Sequence, residues 1–283
     1  MKKIIYLFLF CVLFIGCKNF SLPLCIDNET GTMPFIEISL CDSEGNEISQ
    51  KVVRLGVDTG QPVSFLYKSG VEAIFGSVNE YYACCKENGI ENDISELSFS
   101  IYNIYFGNVK PAICSDFICR ETIDNQLYDG LVGEDFLKKN SCITFDFKKN
   151  VFIVNGKKLK SNILPMKTIS FSYDDFQGDY LSIPAKIDGE TYDVIIDTGA
   201  CSSGTPAIVI SGESEFDKEV CVEIGNEIFE SVKVASLENS DFDDKELEKI
   251  YKDYFGNIII LGNAFFQNHR IQLDFENMQF AMD

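Results

Sequence analysis

Histidine is almost absent from this sequence, and its scarcity limits the chemistry that the chain can perform. The only histidine is His269, so a serine or cysteine hydrolase with a histidine base would have to use this one residue. The same shortage argues against a zinc site. The cysteines that lie close together, Cys84 with Cys85 and Cys114 with Cys119, also lack the two-residue spacing typical of zinc ligands. We therefore expect no bound metal.

Basic residues are also scarce. The chain has 24 lysine and arginine residues against 44 aspartate and glutamate residues, a formal net charge of −20 at pH 7. A surface this acidic repels nucleic acid and anionic lipid headgroups, so we exclude a nucleic-acid partner. The charge favours solubility, with a preference for cationic or neutral peptides.

Long apolar runs are missing except at the N-terminus. There Lys2 and Lys3 precede an apolar run from Ile4 to Ile15. This run is too short to span a bilayer as a helix and is typical of a secretory signal. An uncleaved anchor and an ordinary signal peptide cut nearby are the alternatives to the lipoprotein signal described next.

The apolar run ends at Gly16-Cys17, which resembles the lipoprotein box of bacterial signal peptides, with Cys17 as the lipidated residue. We expect residues 1–16 to be removed and residues 17–31 to form a tether. The mature protein would then be an exported lipoprotein of the cell envelope. Its lipid would be its only contact with the membrane.

Cysteine is plentiful, with eleven residues in the chain. Cys11 lies in the signal and Cys17 at the lipid site, which leaves an odd number, so not all can pair within one chain. An exported protein favours disulfides, for example between Cys114 and Cys119. The connectivity stays open, and we expect disulfides together with buried free thiols.

The tripeptide Asp-Thr-Gly occurs twice, each time after an apolar run. The first copy is Asp58-Thr59-Gly60, and the second is Asp197-Thr198-Gly199, which Ala200 follows. One copy would mean little. Two copies suggest a pair of carboxylates brought together by a duplicated fold, and paired carboxylates are suited to moving protons.

Further landmarks recur in the same order after each copy. They are a Gly-Asn pair, two hydrophobic residues before a glycine, and an Asp-Phe pair. In the first half they are Gly107-Asn108, Leu131-Val132-Gly133 and Asp146-Phe147, and in the second half Gly225-Asn226, Ile260-Leu261-Gly262 and Asp274-Phe275. Because ordered internal similarity is rarely accidental, we predict two homologous lobes, residues 32–162 and residues 163–283.

Each half resembles a retropepsin-type lobe, and the tandem resembles the two-lobed, pepsin-like aspartic proteases. The resemblance implies an all-β fold of two homologous β-rich lobes with an active-site cleft between them. It implies that Asp58 and Asp197 are the catalytic pair. Five neighbours would support this pair: Thr59, Gly60, Thr198, Gly199 and Ala200.

The activity that the resemblance implies is that of a membrane-anchored aspartic endopeptidase. Water activated by the two carboxyl groups would attack the peptide bond, and no cofactor would be needed. The partner would be a peptide or protein substrate, and the working form would be a monomer.

One residue departs from the pattern of that family. The residue after Asp-Thr-Gly is usually alanine or serine there; Ala200 conforms, whereas Gln61 is larger. This departure leaves a second function open, in which a non-catalytic surface lipoprotein uses the same cleft to bind a peptide or protein partner. The two intact Asp-Thr-Gly motifs favour the enzyme.

Several further expectations complete this interpretation. A helix is predicted from Asp244 to Asp253. The second lobe is expected either to lack part of the element that usually follows the Asp loop or to build its flap directly from Ile208 to Val222. Cys201 is expected to be a small packed residue. An aromatic residue that covers the substrate is expected among Tyr81, Tyr82, Tyr102 and Tyr105.

Overall fold

The chain is described from a computed structural model. The described residues are 19–26, 33–41, 52–62, 64–77, 79–80, 97–99, 103–106, 109–114, 117–120, 128–173, 176–200, 207–210, 219–236 and 259–283. In these segments no helix has the length and apolar character needed to cross a membrane.

The first half of the chain is built mainly from strands. They are β1 (Phe20–Pro23), β2 (Phe35–Cys41), β3 (Val53–Val57), β4 (Phe65–Tyr67), β5 (Leu97–Phe99), β6 (Asn103–Phe106), β7 (Val109–Cys114), β8 (Phe117–Arg120), β9 (Gly130–Val132), β10 (Cys142–Asp146) and β11 (Val151–Val154). Helix α1 (Lys68–Phe75) follows β4, and helix α2 (Glu134–Leu137) follows β9.

The second half has a similar series of elements. Its strands are β12 (Ile163–Pro165), β13 (Lys167–Tyr173), β14 (Phe176–Ile187), β15 (Glu190–Asp197), β16 (Ala207–Ile210), β17 (Glu219–Ile224), β18 (Glu227–Ser236), β19 (Ile259–Gly262), β20 (Arg270–Asp274) and β21 (Gln279–Met282). Helix α3 (Asn263–Phe266) follows β19.

Each half forms a sheet of its own. The first sheet has the strand order β5-β8-β4-β9-β3-β2-β6-β7, and the second has the order β13-β14-β15-β19-β16-β18-β17 with an added β14–β17 pairing. Strand burial follows position in these sheets. Strand β17 alternates exposed or half-buried with buried residues, whereas β9 and β19 are buried at every position, as expected of strands covered on both faces.

The two sheets repeat the same pairings. The strand before each Asp-Thr-Gly pairs in parallel with the strand that carries the hydrophobic pair, β3 with β9 and β15 with β19. The strand after each Asp-Thr-Gly pairs antiparallel with that same partner, β4 with β9 and β16 with β19. The sequence landmarks therefore occupy equivalent positions in two lobes that have the same strand pairings.

A third sheet joins the lobes and has the strand order β1-β11-β10-β20-β21-β12. Its centre is the antiparallel pair β10–β20, in which Thr144 lies opposite Gln272. The Gln272 Nε2 donates to Thr144 Oγ1 at 2.7 Å, and both residues are buried. Counted inward from the two edges, β1, β11 and β10 match β12, β21 and β20. A pseudo-twofold axis therefore passes near the Thr144–Gln272 pair.

The main hydrophobic core extends continuously through both lobes and the joining sheet. Its largest fully buried side chains are aromatic: Phe136, Phe145, Phe152, Phe266 and Phe280. Phe145 and Phe152 come from neighbouring strands of the joining sheet, and their ring centroids are 5.4 Å apart. Close packing of this kind makes the base of the molecule rigid.

The N-terminal segment differs from the tether expected for residues 17–31. Phe20–Pro23 form β1, which pairs with β11 at the edge of the joining sheet, and Cys25 pairs with Phe35. The reason is an alternation overlooked in the sequence: Leu22 and Leu24 are buried, whereas Ser21 and Pro23 are exposed. The second-lobe strand β12 occupies the equivalent edge and begins at residue 163.

Candidate active site

The two Asp-Thr-Gly loops meet where β3 and β15 end. Asp58 follows β3 directly, and its N–H donates to the Val132 carbonyl at 2.9 Å. Asp197 is the last residue of β15 and lies opposite Gly262. Each carboxylate thus follows three buried strand residues, 55–57 and 194–196, and both aspartates remain partly accessible to solvent.

The two threonines exchange hydrogen bonds between the lobes. Thr59 Oγ1 donates to the Ile196 carbonyl and Thr198 Oγ1 donates to the Val57 carbonyl, each at 2.7 Å. Each hydroxyl also accepts the main-chain N–H of the other threonine, at 3.1 Å for Thr59 N and 2.9 Å for Thr198 N. Both side chains are completely buried, so these four bonds lock the two loops together without competition from water.

The glycines of the loops show how closely the carboxyl groups approach. A methyl group added at Gly60 would overlap the carboxyl group of Asp197, and one added at Gly199 would overlap that of Asp58. Each loop therefore presents a bare backbone to the acid of the other lobe. Only glycine leaves that space open.

Main-chain N–H groups orient both carboxylates. Gly60 N–H donates to Asp58 Oδ1 at 2.8 Å. Asp197 Oδ1 accepts from Gly199 N–H at 2.8 Å and from Ala200 N–H at 2.9 Å. The ionised form of an acid is favoured by such bonds.

The two carboxyl groups hydrogen-bond each other and titrate as a pair. Burial raises the pKa of Asp58 well above its ordinary range, and the charge of Asp197 raises it further. Burial also raises the pKa of Asp197, although hydrogen bonds from Asp58 and from the loop backbone act in the opposite direction. Since adjacent carboxylates resist double ionisation, the pair retains one proton that both groups share.

The residues after the Asp-Thr-Gly motifs have matching main-chain contacts. The Gln61 carbonyl accepts from Glu134 N–H at 2.8 Å, and the Ala200 carbonyl accepts from Asn263 N–H at 3.1 Å. The first lobe therefore accommodates glutamine at position 61 and still forms the main-chain hydrogen bond that is equivalent to the one at Ala200 in the second lobe. Gly262 is needed beside this contact, because a methyl group there would overlap the Ala200 carbonyl.

A second network supports the first loop and was not predicted from the sequence. Ser64 Oγ donates to Asp135 Oδ1 at 2.6 Å and accepts Gly133 N–H at 2.9 Å. Ser64 is fully buried. The sequence contains one signal for this network, the acidic pair Glu134-Asp135 after Gly133. The equivalent residues after Gly262 are Asn263 and Ala264, which are not acidic.

Glu134 of that acidic pair is an unexpected buried acid near the loop. Its side chain is 2% exposed, and Lys138 Nζ lies 2.5 Å from its Oε2. Burial raises the pKa of Glu134 to about 7, although Lys138 acts to lower it. Lys138 also lies 3.8 Å from Asp179 of the second lobe, so this charge cluster bridges the two lobes.

The remaining expected residues lie elsewhere. His269 is in the turn between α3 and β20, where its ring packs against Phe229 at 5.3 Å and burial lowers its pKa. Tyr105 is part of β6. The positions outside the described residues are Cys17, Tyr81, Tyr82, Tyr102, Cys201, the predicted helix at Asp244–Asp253 and most of the predicted second-lobe flap.

The cysteines that the structure describes with their side chains are Cys25, Cys142 and Cys221, and all three are free thiols. Cys142 is buried, as expected for some of the thiols. The pairing of Cys114 with Cys119 stays a prediction. Within the described residues there is no group of three or more histidine, cysteine or acidic side chains suited to holding a metal ion.

The fold defined by the two lobes, the joining sheet and the paired loops is that of an aspartic proteinase. The crystal structure of the aspartic proteinase from Irpex lacteus aligns with 94% of this chain and 97% of its own chain, with a TM-score of 0.53 and 13% sequence identity. No family model matches the chain, and no curated protein matches it by sequence. The all-β, two-lobed fold expected from the sequence is confirmed by this likeness.

Proposed function

We propose that the protein is a membrane-anchored aspartic endopeptidase, and that Asp58 and Asp197 are its catalytic pair. The observation that carries the proposal is the hydrogen-bonded carboxyl pair, oriented by loop N–H groups and locked by Thr59 and Thr198. A merely structural acid pair would need no such exposure to solvent. Both acids are partly accessible, so water and a peptide can reach them.

The pair acts on water through its shared proton. The ionised carboxylate accepts a proton from the water molecule, while the protonated carboxyl group donates a hydrogen bond to the scissile carbonyl. The two groups then exchange roles as the amine leaves. The same sharing of one proton between two aspartates is known for pepsin.

The two acids have similar surroundings. Asp197 accepts loop N–H bonds from Gly199 and Ala200. Asp58 accepts them from Gly60 and Gln61. Because the two carboxyl groups also hydrogen-bond each other, the resting proton belongs to the pair, and either acid can serve as the base.

The membrane anchor is the second part of the proposal. It is supported by the Lys2-Lys3 start, the apolar run and Gly16-Cys17. Strand β1 begins at Phe20, so a strand of the joining sheet starts soon after the cysteine that would carry the lipid. The protease would therefore act in the cell envelope on peptides that reach this surface.

Gln61 is the observation that favours a second candidate function. A large side chain beside the first loop fits a protein that holds a peptide or protein partner in the cleft without cutting it. Fold alone does not decide between these functions. Against the binding function, the loop at Gln61 keeps its main-chain bond to Glu134.

A cleavage assay separates the two functions. The protein is incubated with a mixed peptide library from acidic to alkaline pH, with and without a transition-state-mimicking inhibitor of aspartic proteases. The enzyme should cleave peptides at acidic pH, and the inhibitor should block cleavage. Retention of intact peptides by a protein that is inert at every pH would establish the binding function instead.

A further inference from the structure

Acidic residues are distributed unevenly in this acidic chain. The short segment Cys17 to Ile26 contains no acid. The longest stretch without an acid after residue 26 is Phe147 to Tyr173, and it contains six lysines. The chain as a whole has 44 acidic residues. A stretch of this length without an acid is therefore a feature that needs a physical role.

The fold brings these two stretches side by side. Strand β1 lies in the first and β11 in the second, and they pair antiparallel with Phe20 opposite Val154 and Pro23 opposite Val151. Because the pairing is antiparallel, the chain enters β1 at the same end of the sheet where it leaves β11. The residues that follow β11 there are Asn155 to Lys160.

This end of the sheet carries lysines, two of which form no ion pair with a described residue. We call Lys157, Lys158 and Lys160 the basic edge. Lys157 and Lys160 are exposed, and neither forms an ion pair with any described residue. Lys158 contacts Asp274 at 3.0 Å and Glu276 at 2.8 Å, which offsets the negative charge of the acids at this end.

The anchor point lies within short reach of the basic edge. Cys17 precedes Phe20 by three residues, which span at most about 11 Å when extended. A lipid on Cys17 would hold this end of the joining sheet against the membrane surface. The long tether expected from the sequence would have left its orientation free.

We propose that the basic edge is a membrane-docking surface that binds anionic lipid headgroups through Lys157 and Lys160. This inference rests on the lipid anchor in the proposed function and goes beyond it, since it fixes which face of the protein meets the bilayer. The net charge of the chain argued for repulsion from such headgroups. At this end of the joining sheet Lys157, Lys158 and Lys160 outnumber Asp274 and Glu276. The local charge is therefore positive and offsets that repulsion, because screening limits charge effects to about 8 Å at physiological salt.

The test uses the chain from residue 17 with Cys17→Ser, which contains every described residue and has no lipid. Its binding is measured by co-sedimentation with vesicles of phosphatidylglycerol mixed with phosphatidylcholine, and with vesicles of phosphatidylcholine alone, at low ionic strength. Each lysine near an anionic surface contributes about fivefold in affinity. The Lys157→Gln, Lys160→Gln double variant should therefore bind the anionic vesicles about 25-fold more weakly.

The matched control is the Lys148→Gln, Lys149→Gln double variant. Both lysines are exposed and lie in the β10–β11 turn at the opposite end of the same sheet, and the change in net charge is the same. This control should keep its affinity within about twofold, as expected for lysines remote from the contact. Equal losses in both double variants would show an effect of net charge alone and overturn the proposal.

Two further outcomes also overturn it. One is a failure of the Cys17→Ser chain with all three lysines of the basic edge to bind anionic vesicles. The other is binding of that chain to neutral vesicles as tightly as to anionic ones. Neither outcome bears on the lipid anchor, because the test chain has none; the mass of the mature protein decides that question. The peptide-cleavage assay is likewise independent, since the basic edge is outside the carboxyl pair.

Discussion

Thr59 and Thr198 each donate a hydroxyl hydrogen bond to the strand that leads into the other's loop, and each accepts the other's main-chain N–H. The two lobes therefore share one set of bonds at the carboxyl pair. Neither loop has its observed geometry independently of the other.

The first prediction concerns this exchange. Thr59→Val keeps the shape of the side chain but leaves the Ile196 carbonyl and the Thr198 N–H without their partners. Leaving buried polar groups unpaired costs about 2–4 kcal/mol in the free energy of unfolding, measurable by urea denaturation. Thr168→Val, at an exposed position, should change it by less than about 0.5 kcal/mol. Equal effects of the two changes would show that the exchange contributes nothing special.

The second prediction concerns the carboxyl pair. Asp58→Asn and Asp197→Asn should each lower kcat by at least about a thousandfold, and the double change should lower it little further, because groups that act as one unit are not additive. His269→Gln is the control and should leave kcat nearly unchanged. Additive losses in the double variant would contradict a shared proton.

The pH dependence of cleavage follows from the same pair. Because burial raises the pKa of Asp58 and of Asp197, the singly protonated pair persists above the range of ordinary aspartates. The rate should fall toward alkaline pH as the shared proton is lost. A kcat profile that keeps rising into alkaline pH would show that another group activates the water.

The third prediction concerns Gln61. Gln61→Ser and Gln61→Ala should change kcat/KM by less than about tenfold, because the main-chain bond to Glu134 does not depend on the side chain. Ala200→Gln, the matching change in the second lobe, should be tolerated to a similar degree. If the natural chain is inert and Gln61→Ser becomes active, the protein is a lapsed protease that serves as a binder.

The fourth prediction concerns stability and pH. Glu134 has its pKa raised from 4.5 to about 7 in the folded protein, so the folded state holds this proton more tightly than the unfolded state. The contribution of Glu134 to the free energy of unfolding is therefore fully present below pH 4.5 and is lost as pH rises to about 7. The loss is about 3 kcal/mol. The Glu134→Gln variant should lose correspondingly less stability across that window.

Denaturation of both proteins at several pH values measures this difference. Glu230→Gln, at an exposed position, is the control and should leave the pH dependence unchanged. The carboxyl pair contributes in the same direction, so the natural chain is expected to be more stable in weak acid than at neutral pH. Parallel stability curves for the natural chain and Glu134→Gln would refute the assignment to Glu134.

The fifth prediction concerns the anchor. Cys17→Ser in the full chain should prevent lipid modification, and it should therefore either release the protein from the membrane fraction or stall removal of residues 1–16, because the lipid supplies the stable anchor. Mass spectrometry of the mature protein and membrane fractionation check this. A mature form with the same mass and the same partition as the natural protein would exclude the lipoprotein signal.

Much of the fold could be predicted from the sequence because its landmarks are local. Asp58-Thr59-Gly60 and Leu131-Val132-Gly133 are read directly as short motifs, and their repetition in order predicts equivalent strands. Alternation in β17 and continuous burial in β19 agree with their positions in the sheets. Two duplicated lobes follow from this pattern.

The contacts between distant segments could not be predicted in this way. Nothing near Phe20 in the sequence indicates that it pairs with Val154, because that partner is set by the fold and not by spacing. The burial of Glu134 depends on the packing of α2 near Asp179 of the second lobe. The Ser64–Asp135 bond likewise joins residues 71 positions apart.

The order of strands in the joining sheet has a consequence for a chain as it leaves the ribosome. Asp58 is made early, yet β20 and β21, which complete the centre and one side of the sheet, are made after both Asp-Thr-Gly loops. The carboxyl pair also needs Asp197 and the strand β19 that supports it. A growing chain therefore exposes Asp58 long before the carboxyl pair and the sheet beneath it can form.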